Sequence, residues 1–338
     1  MELSLHRVVL RFAQPVQSAH GVLRERELIE LTLTDEEGLI GRGEAAPLQS
    51  YDGVSIERTL ATLEAYRPVI EASPQRPAGR LLERCREIDE LPAALAAVDL
   101  ALWDLAGKRA GRPVCELLSD TPARVIAVNA SIGAASAAAA ARAAADAVAA
   151  GYTCVKLKVG TDEDIARVAA VRRAIGSQTA LRLDANGSWT FAQAERMIAA
   201  LDKYGLELIE EPVHGLADTR ALRDRVAVRI AIDETAAIAG ALTARVADAV
   251  CLKISRCGGI GGLLAAAALV RASGAEVYVS STYDGPRGIA AALHAAAALS
   301  PLPPCGLATL ELFAGAPSPF PVIEGGIAVP GEPGLGAS

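Results

Sequence analysis

Lysine is the scarce residue of this chain: five of the 33 basic residues are lysine (Lys108, Lys156, Lys158, Lys203 and Lys253), and the remaining 28 are arginine. Arginine stays protonated at any physiological pH, whereas a desolvated lysine can give up its proton, so a lysine placed in the core is a candidate base. Other features are missing too. The six cysteines form no CxxC pair and are scattered through apolar segments. That argues against a metal knuckle or a disulfide framework and predicts buried, reduced thiols. A net charge of -7 and a pI near 5.3, without a basic cluster, exclude a dedicated nucleic-acid surface. The N-terminus lacks the basic-then-apolar layout of a secretory signal. The alanine-rich run from Ala134 to Ala150 carries Arg142 and Asp146, as a water-soluble helix does and a membrane span does not. These absences predict a cytoplasmic protein with neither a membrane nor a nucleic-acid partner. With 51% hydrophobic residues among 338, the chain can bury a sizeable core.

Residues 2–12, 26–34 and 39–44 read as three strands of an antiparallel meander, with a polar loop from Gln14 to Arg24 broken by Pro15 and Gly21. A second loop runs from Leu48 to Ser55. Helical patterning follows over 56–70 and 91–110, stopped by Gly111 and Pro113. Antiparallel strands followed by helices make an α+β unit. From Arg124 the rhythm changes to alternating strands and helices, with strands beginning near Val125, Thr153, Ala180, Glu207, Val228, Ala249, Glu276 and Gly306. Eight such units predict an α/β chain with a TIM-like (β/α) barrel rather than a doubly wound sheet, because no glycine-rich phosphate loop follows the first strand. The expected division is an N-terminal α+β capping domain over 1–120, the barrel over 121–310, and a C-terminal segment over 311–338 that returns to the cap.

The stretch Cys154-Val155-Lys156-Leu157-Lys158 alternates as a strand should and puts two lysines on one face. Two ammonium groups side by side in an interior need negative partners. The ends of the successive strands supply them. The second strand ends in Lys158, the third in Asp184, the fourth in Glu210 followed by Glu211-Pro212, the fifth in Asp233 followed by Glu234, and the sixth in Lys253. One strand–helix unit separates each from the next, so all five belong to the C-terminal rim, where barrel enzymes keep their chemistry. Three converging carboxylates repel one another unless a cation sits between them, and hard oxygen donors suit Mg²⁺, or Mn²⁺, better than zinc. A ring of ion pairs that merely plugs the barrel is the plain alternative; five residues in register, two of them scarce lysines with a third, Lys156, on the same face, argue against it.

A small-molecule carboxylate bound at such a rim would have its α-carbon between Lys158 and Lys253. Metal coordination would stabilise the charge that develops as the proton leaves, and the base would need a lowered pKa. Lys156 is expected to supply part of that lowering as a neighbouring positive charge, or else to pair with a barrel carboxylate.

The motifs Lys156-x-Lys158, Asp184-x-Asn186, Glu210-Glu211-Pro212, Asp233-Glu234 and Lys253-x-Ser255 resemble those of the enolase superfamily in its muconate-cycloisomerase-like subgroup. Gly43-Glu44-Ala45-Ala46-Pro47, Trp103 to Lys108 and Gly258-Gly259 fit it as well, so the resemblance spans the chain. It implies Asp184, Glu210 and Asp233 as metal ligands and Lys158 and Lys253 as facing acid–base groups, and it allows a homo-oligomer. The mandelate-racemase branch would need a His–Asp dyad on the late strands, and no histidine follows the seventh at Ser280-Ser281-Thr282-Tyr283-Asp284. Within the subgroup both lysines serve racemisation, dipeptide epimerisation, lactone formation and syn dehydration alike. The Asp-x-Asp of dipeptide epimerases after the eighth strand is missing from Cys305 to Glu311. Gly306-Leu307-Ala308-Thr309, Arg26 and Gly43 to Pro47 resemble o-succinylbenzoate synthases, while Glu311-Leu312-Phe313 resembles cycloisomerases. The leading expectation is a Mg²⁺-dependent dehydration to o-succinylbenzoate, with N-acylamino-acid racemisation or dipeptide epimerisation second and cycloisomerisation third. A catalytically inactive binding barrel would be expected to have lost a member of the ladder, and none is lost.

Secondary candidates are Asn186, which would orient Asp184 or a bound water or else form an Asn-Gly turn, and Glu211, Glu234, Ser255 and Asp284 beside the motifs. His20, Arg24 and Tyr51 lie in the two capping loops expected to close over substrate. His214 reads as a surface residue, His6 and His294 as structural, and Trp189 as packing.

Overall fold

The computed structural model describes residues 1–18, 21–72, 77–133, 136–315 and 317–336. Three strands open the chain, β1 (Glu2–Ser18), β2 (Gly21–Thr34) and β3 (Ile40–Ala45), paired antiparallel in the order β1-β2-β3. The expected loop from Gln14 to Arg24 is not a loop. The hairpin runs on from Val16↔Leu23 to Ser18↔Gly21 after a register shift between Arg11 and Val16. Pro15 falls inside that irregularity, where a residue without an N–H does not break the ladder.

Five helices follow: α1 (Gln49–Asp52), α2 (Ile56–Glu71), α3 (Ala78–Ile88), α4 (Pro92–Ala110) and α5 (Val114–Leu118). Ser55 caps α2 by accepting from the Arg58 N–H at 3.1 Å, and Gly111 ends α4 in the left-handed conformation. Helix α4 lies directly on β3. A Cβ at Gly43 would stand 1.9 Å from the Ala97 carbonyl oxygen, so the close approach requires glycine there. Leu31, Leu33, Leu63, Tyr66, Val98 and Leu105 fill the core between sheet and helices.

The second sheet is parallel. Strands β5 (Ala130–Ile132), β6 (Cys154–Lys158), β7 (Ala180–Asp184), β8 (Leu208–Glu210), β9 (Ile230–Ile232), β10 (Ala249–Lys253) and β11 (Glu276–Ser280) neighbour one another in chain order. Helices α6 (Ala137–Ala149), α7 (Asp164–Ile175), α8 (Phe191–Leu201), α9 (Leu216–Arg223), α10 (Ile260–Ala272) and α11 (Pro286–Leu299) follow these strands in turn, except after β9, where a 3-10 turn (Glu234–Ala237) stands in place of the expected helix. The expected eight units are corrected at both ends. Val125 starts β4 (Val125–Ala127), whose ladder is antiparallel with β13 (Gly326–Ala328) and which reaches the barrel only at its last residue, Ala127. The residues at Gly306 form isolated bridges rather than a strand, and these close the ring. Cys305 exchanges hydrogen bonds with Ala127 and Asn129 on one side, and Gly306 with Val279 and Ser281 on the other. The result is a TIM-type barrel with an N-terminal capping domain.

The C-terminal residues touch both parts. Val322–Ile323 (β12) pairs with β13, the rings of Phe12 and Phe313 stack at 4.7 Å, and the Leu335 N–H donates to Asp104 of α4 at 2.9 Å. All six cysteines are free thiols, five of them buried. Among the described residues no helix is long and apolar enough to cross a membrane.

Candidate active site

Parallel pairing places the charged strand ends side by side. Lys158 pairs in register with Asp184, Asp184 with Glu210, and Lys253 with Ser280. Because side chains alternate along a strand, Lys156 points to the same interior as Lys158, one layer deeper. A cavity of ≈ 960 Å³ opens above this layer. Lys156, Lys158, Asp184, Asn186, Asp233 and Lys253 reach it from the barrel. Ala13 to Val16, Leu23, Leu48 and Tyr51 roof it from the cap, and Ser280 to Tyr283, Gly306, Ala308, Thr309 and Glu311 form its far wall.

The Lys158 ammonium donates to Asp184 Oδ2 and Asn186 Oδ1, both at 2.6 Å. Lys156 bridges Asp184 at 2.9 Å and Glu210 at 2.6 Å. Of its two expected roles, pairing with barrel carboxylates is the one the geometry displays. Burial works against its charge, yet Asp184 and Glu210 hold its pKa well above the ordinary lysine value. On the opposite side Lys253 donates to Asp233 Oδ2 at 2.5 Å and to the Tyr51 hydroxyl at 2.8 Å, and that hydroxyl donates to Asp233 Oδ1 at 2.8 Å. Burial is again the largest single influence and opposes the charge, but Asp233 together with Tyr51, Cys251 and Glu234 raises the Lys253 pKa well above the usual range.

The three carboxylates are buried, Asp184 at 1%, Glu210 at 0% and Asp233 at 7% exposure. Burial tends to raise the Asp184 pKa, but Lys156 and Lys158 bring it below the normal carboxylate range. Glu210 is pushed up, first by burial and then by repulsion from Asp184 and Asp233, even though Lys156 pulls the other way. Among the described residues Glu210, Asp233 and Cys251 offer ligand atoms within 4.8 Å of one another. Asp184 stands outside that triplet, its Oδ2 shared by the two lysines. Buried, mutually repelling carboxylate oxygens fit a hard divalent cation.

The secondary candidates divide. Asn186 has left-handed backbone (φ 43°) in its Asn-Gly turn and also links Lys158 to Glu234, whose Oε1 accepts from Asn186 Nδ2 at 3.0 Å. Glu211 is buried behind Asp233. It accepts from the Asp233 N–H at 2.8 Å and the Thr235 hydroxyl at 2.5 Å, and burial raises its pKa to about 7. His214 is half exposed, with its ring 2.9 Å from Glu211. Tyr51 is in the site. Ser255 shares a hydrogen bond with Thr282 at 3.1 Å, and Asp284 accepts from the Thr282 hydroxyl; neither lines the cavity. Arg24 is exposed on β2 and outside the lining, and His20 lies outside the described residues. Arg26 is buried in the seam, donating to the carbonyls of Ala46, Pro47 and Thr282. Trp189 is in the core and His294 is fully buried.

Two interior residues escaped the sequence reading. Tyr278 donates to Glu210 Oε2 at 2.5 Å, and Arg182 lies beneath it, paired with Glu207. The signal was present, since Tyr278 precedes Ser280 by two residues and therefore shares its face.

Two family models cover most of the chain: the mandelate racemase / muconate lactonizing enzyme N-terminal domain over residues 1–119, and the enolase C-terminal domain-like family over 139–338. A hydrophobic dipeptide epimerase from Enterococcus faecalis is 32% identical over 295 residues, 83% of this chain and 82% of that protein. An o-succinylbenzoate synthase from Thermobifida fusca is 42% identical over 173 residues, 48% of this chain and 54% of that protein. The crystal structure of the dipeptide epimerase from Enterococcus faecalis V583, complexed with Mg and the dipeptide L-Leu-L-Tyr, superposes with a TM-score of 0.89 at 28% identity, covering 99% of this chain and 98% of that one.

Proposed function

The chain belongs to the enolase superfamily, and from that premise we propose that it takes the α-proton of a small-molecule carboxylate and dehydrates a succinyl-hydroxycyclohexadiene carboxylate to o-succinylbenzoate. In this reading residues 1–120 form the cap, 121–310 the catalytic barrel and 311–338 the tie between them. Asp184, Glu210 and Asp233 would hold Mg²⁺ or Mn²⁺, which when bound supplies electrostatic stabilisation for the negative charge that develops on the substrate carboxylate.

The observation that carries the acid–base assignment is that two lysines enter one cavity from opposite sides, with different surroundings. The Lys158 side chain is 26% exposed and that of Lys253 8%. Lys158, the more accessible, removes the proton when neutral. It then returns that proton to the departing hydroxyl group, so the C–H and C–O bonds break and one water leaves. Lys253, held by Asp233 and Tyr51, remains a cation and steadies the developing charge. Asn186 and Asp184 orient the Lys158 amine, and the roof formed by Leu23, Leu48 and Tyr51 excludes water.

Dehydration is favoured by the far wall. Gly306, Ala308 and Thr309 present no carboxylate there to hold a substrate ammonium group. Racemisation of an N-acylamino acid or a dipeptide is the second reading. Glu311 favours it, an acid that lines the cavity while its Oε1 accepts from the Val322 N–H at 3.2 Å. Incubating the purified chain with Mg²⁺ and the cyclohexadiene substrate should produce the ultraviolet signature of aromatisation. Rapid α-proton exchange on N-succinylamino acids or dipeptides in D₂O, without aromatisation, would sink the dehydration reading in favour of the second.

A further inference from the structure

Tyr278 has no place in the proton transfer, yet it brings a hydroxyl into an apolar layer of the barrel interior. Around it in the barrel interior Leu208, Ala231, Ala249 and Cys251 make an apolar ring. Phenylalanine would fill the same volume there with no hydroxyl to satisfy. Tyr278 is 1% exposed, and its hydroxyl donates to Glu210 Oε2 at 2.5 Å. From below, the Arg182 guanidinium stands 5.1 Å from the ring centroid. Arg182 is itself fixed, by Glu207 at 2.8 and 3.0 Å and by the Pro304 carbonyl at 2.7 Å. The phenol is thus clamped between a rigid cation on one side and a single carboxylate oxygen on the other. The second oxygen of Glu210 accepts from Lys156 at 2.6 Å.

A carboxylate held by one oxygen can rotate about its terminal bond, whereas one held by both cannot. Each carboxylate oxygen offers two acceptor directions, so with Tyr278 and Lys156 each taking one, a direction remains on both oxygens. We propose that Tyr278 is a positioning residue for Glu210, fixing the rotation of that carboxylate so that it presents an oxygen to a divalent cation at the rim. The proposal rests on the metal-binding reading above but not on which substrate is used.

The test is Mn²⁺ affinity, measured by electron paramagnetic resonance on the full chain for the unmutated protein, Tyr278→Phe and Tyr66→Phe. Tyr66 is a buried tyrosine of the cap whose hydroxyl donates to the Asp89 carbonyl, remote from the rim. Loss of an outer partner of a metal ligand typically weakens metal binding about 10- to 100-fold. Tyr278→Phe should show a weakening of that order with its circular dichroism unchanged, while Tyr66→Phe binds Mn²⁺ as the unmutated chain does. Equal affinity in Tyr278→Phe and the unmutated chain overturns the positioning role and leaves the metal reading standing. Equal weakening in Tyr66→Phe also overturns it, by assigning the effect to general loosening. Absence of Mn²⁺ binding by the unmutated chain overturns both readings.

Discussion

The barrel rim and the seam between cap and barrel both bury charge, and they satisfy it in opposite ways. At the rim the charged side chains are partnered mainly by one another: Lys158 with Asp184, Lys156 with Asp184 and Glu210, Lys253 with Asp233. In the seam they are partnered mainly by backbone. Asp104 accepts from the N–H groups of Arg42 and Leu335, Glu44 from Gly285, and Asp99 from Gly261, while Arg26 donates to four carbonyls. Charge spent on the backbone fixes one chain segment against another. Charge left facing a cavity and other charges can exchange protons and hold an ion.

Changes at the rim should therefore abolish activity and leave the fold, and changes in the seam should do the reverse. The largest effect is expected from Lys158→Ala and Lys253→Ala, each lowering kcat/KM by at least about 10³-fold, within the range of positioned acid–base groups. Their melting temperatures, measured with Mg²⁺ present, should stay close to that of the unmutated chain, because both lysines border the cavity, where solvent and the cation can offset the charge left on Asp184 or Asp233. Full turnover by Lys158→Ala would refute its role as base. Asp104→Ala should invert the pattern. It strips the acceptor from a buried and a part-buried N–H group and from Lys108, so denaturant unfolding should report a loss on the order of 3–5 kcal/mol. Unchanged stability would remove the distinction drawn for the seam.

A smaller, pH-dependent effect is expected at His294. Its Nδ1 accepts from the Cys115 N–H at 3.1 Å, its Nε2 lies 3.2 Å from the Leu335 carbonyl, and burial lowers its pKa from 6.5 to about 4. The folded protein keeps this imidazole neutral, whereas the unfolded chain gains a proton below pH 6.5. The stability tied to His294 is thus fully present above pH 6.5 and is lost as pH falls towards about 4, by at most about 3 kcal/mol for a shift of that size. Unfolding free energies of the unmutated chain and of His294→Gln, measured from pH 8 to pH 4, should draw together across that window. A gap that stays constant with pH would show that the histidine does not titrate as described.

Much of the rim was legible in one dimension. Strand ends recur once per strand–helix unit, side chains alternate with period two, and parallel neighbours pair without large offsets, so Lys158, Asp184 and Glu210 could be placed together by spacing. Tyr51 was named from its loop, but its bond to Asp233 crosses 182 residues and follows from no local pattern. The hairpin past Pro15 was read as a loop because turn formers outweigh a weak alternation, whereas pairing with the opposite strand supplies the missing hydrogen bonds. Barrel closure at Cys305 and Gly306 was overcounted as a strand, since two bridging residues carry no periodicity to detect. Ser255 was singled out as part of a motif and Asp284 as a neighbour of one, and neither lines the cavity.

Composition and pattern alone settled the alternation of strands and helices, the rarity of lysine, and the row of charges at the strand ends. These are local properties, written in the side chains and their spacing. Which carboxylate each lysine grips, which tyrosine holds Glu210, and which buried charges serve the backbone were decided when the ring closed and the cap settled on it. Such contacts depend on side-chain direction and on distances of a few ångströms between residues far apart in the chain, and only packing sets those.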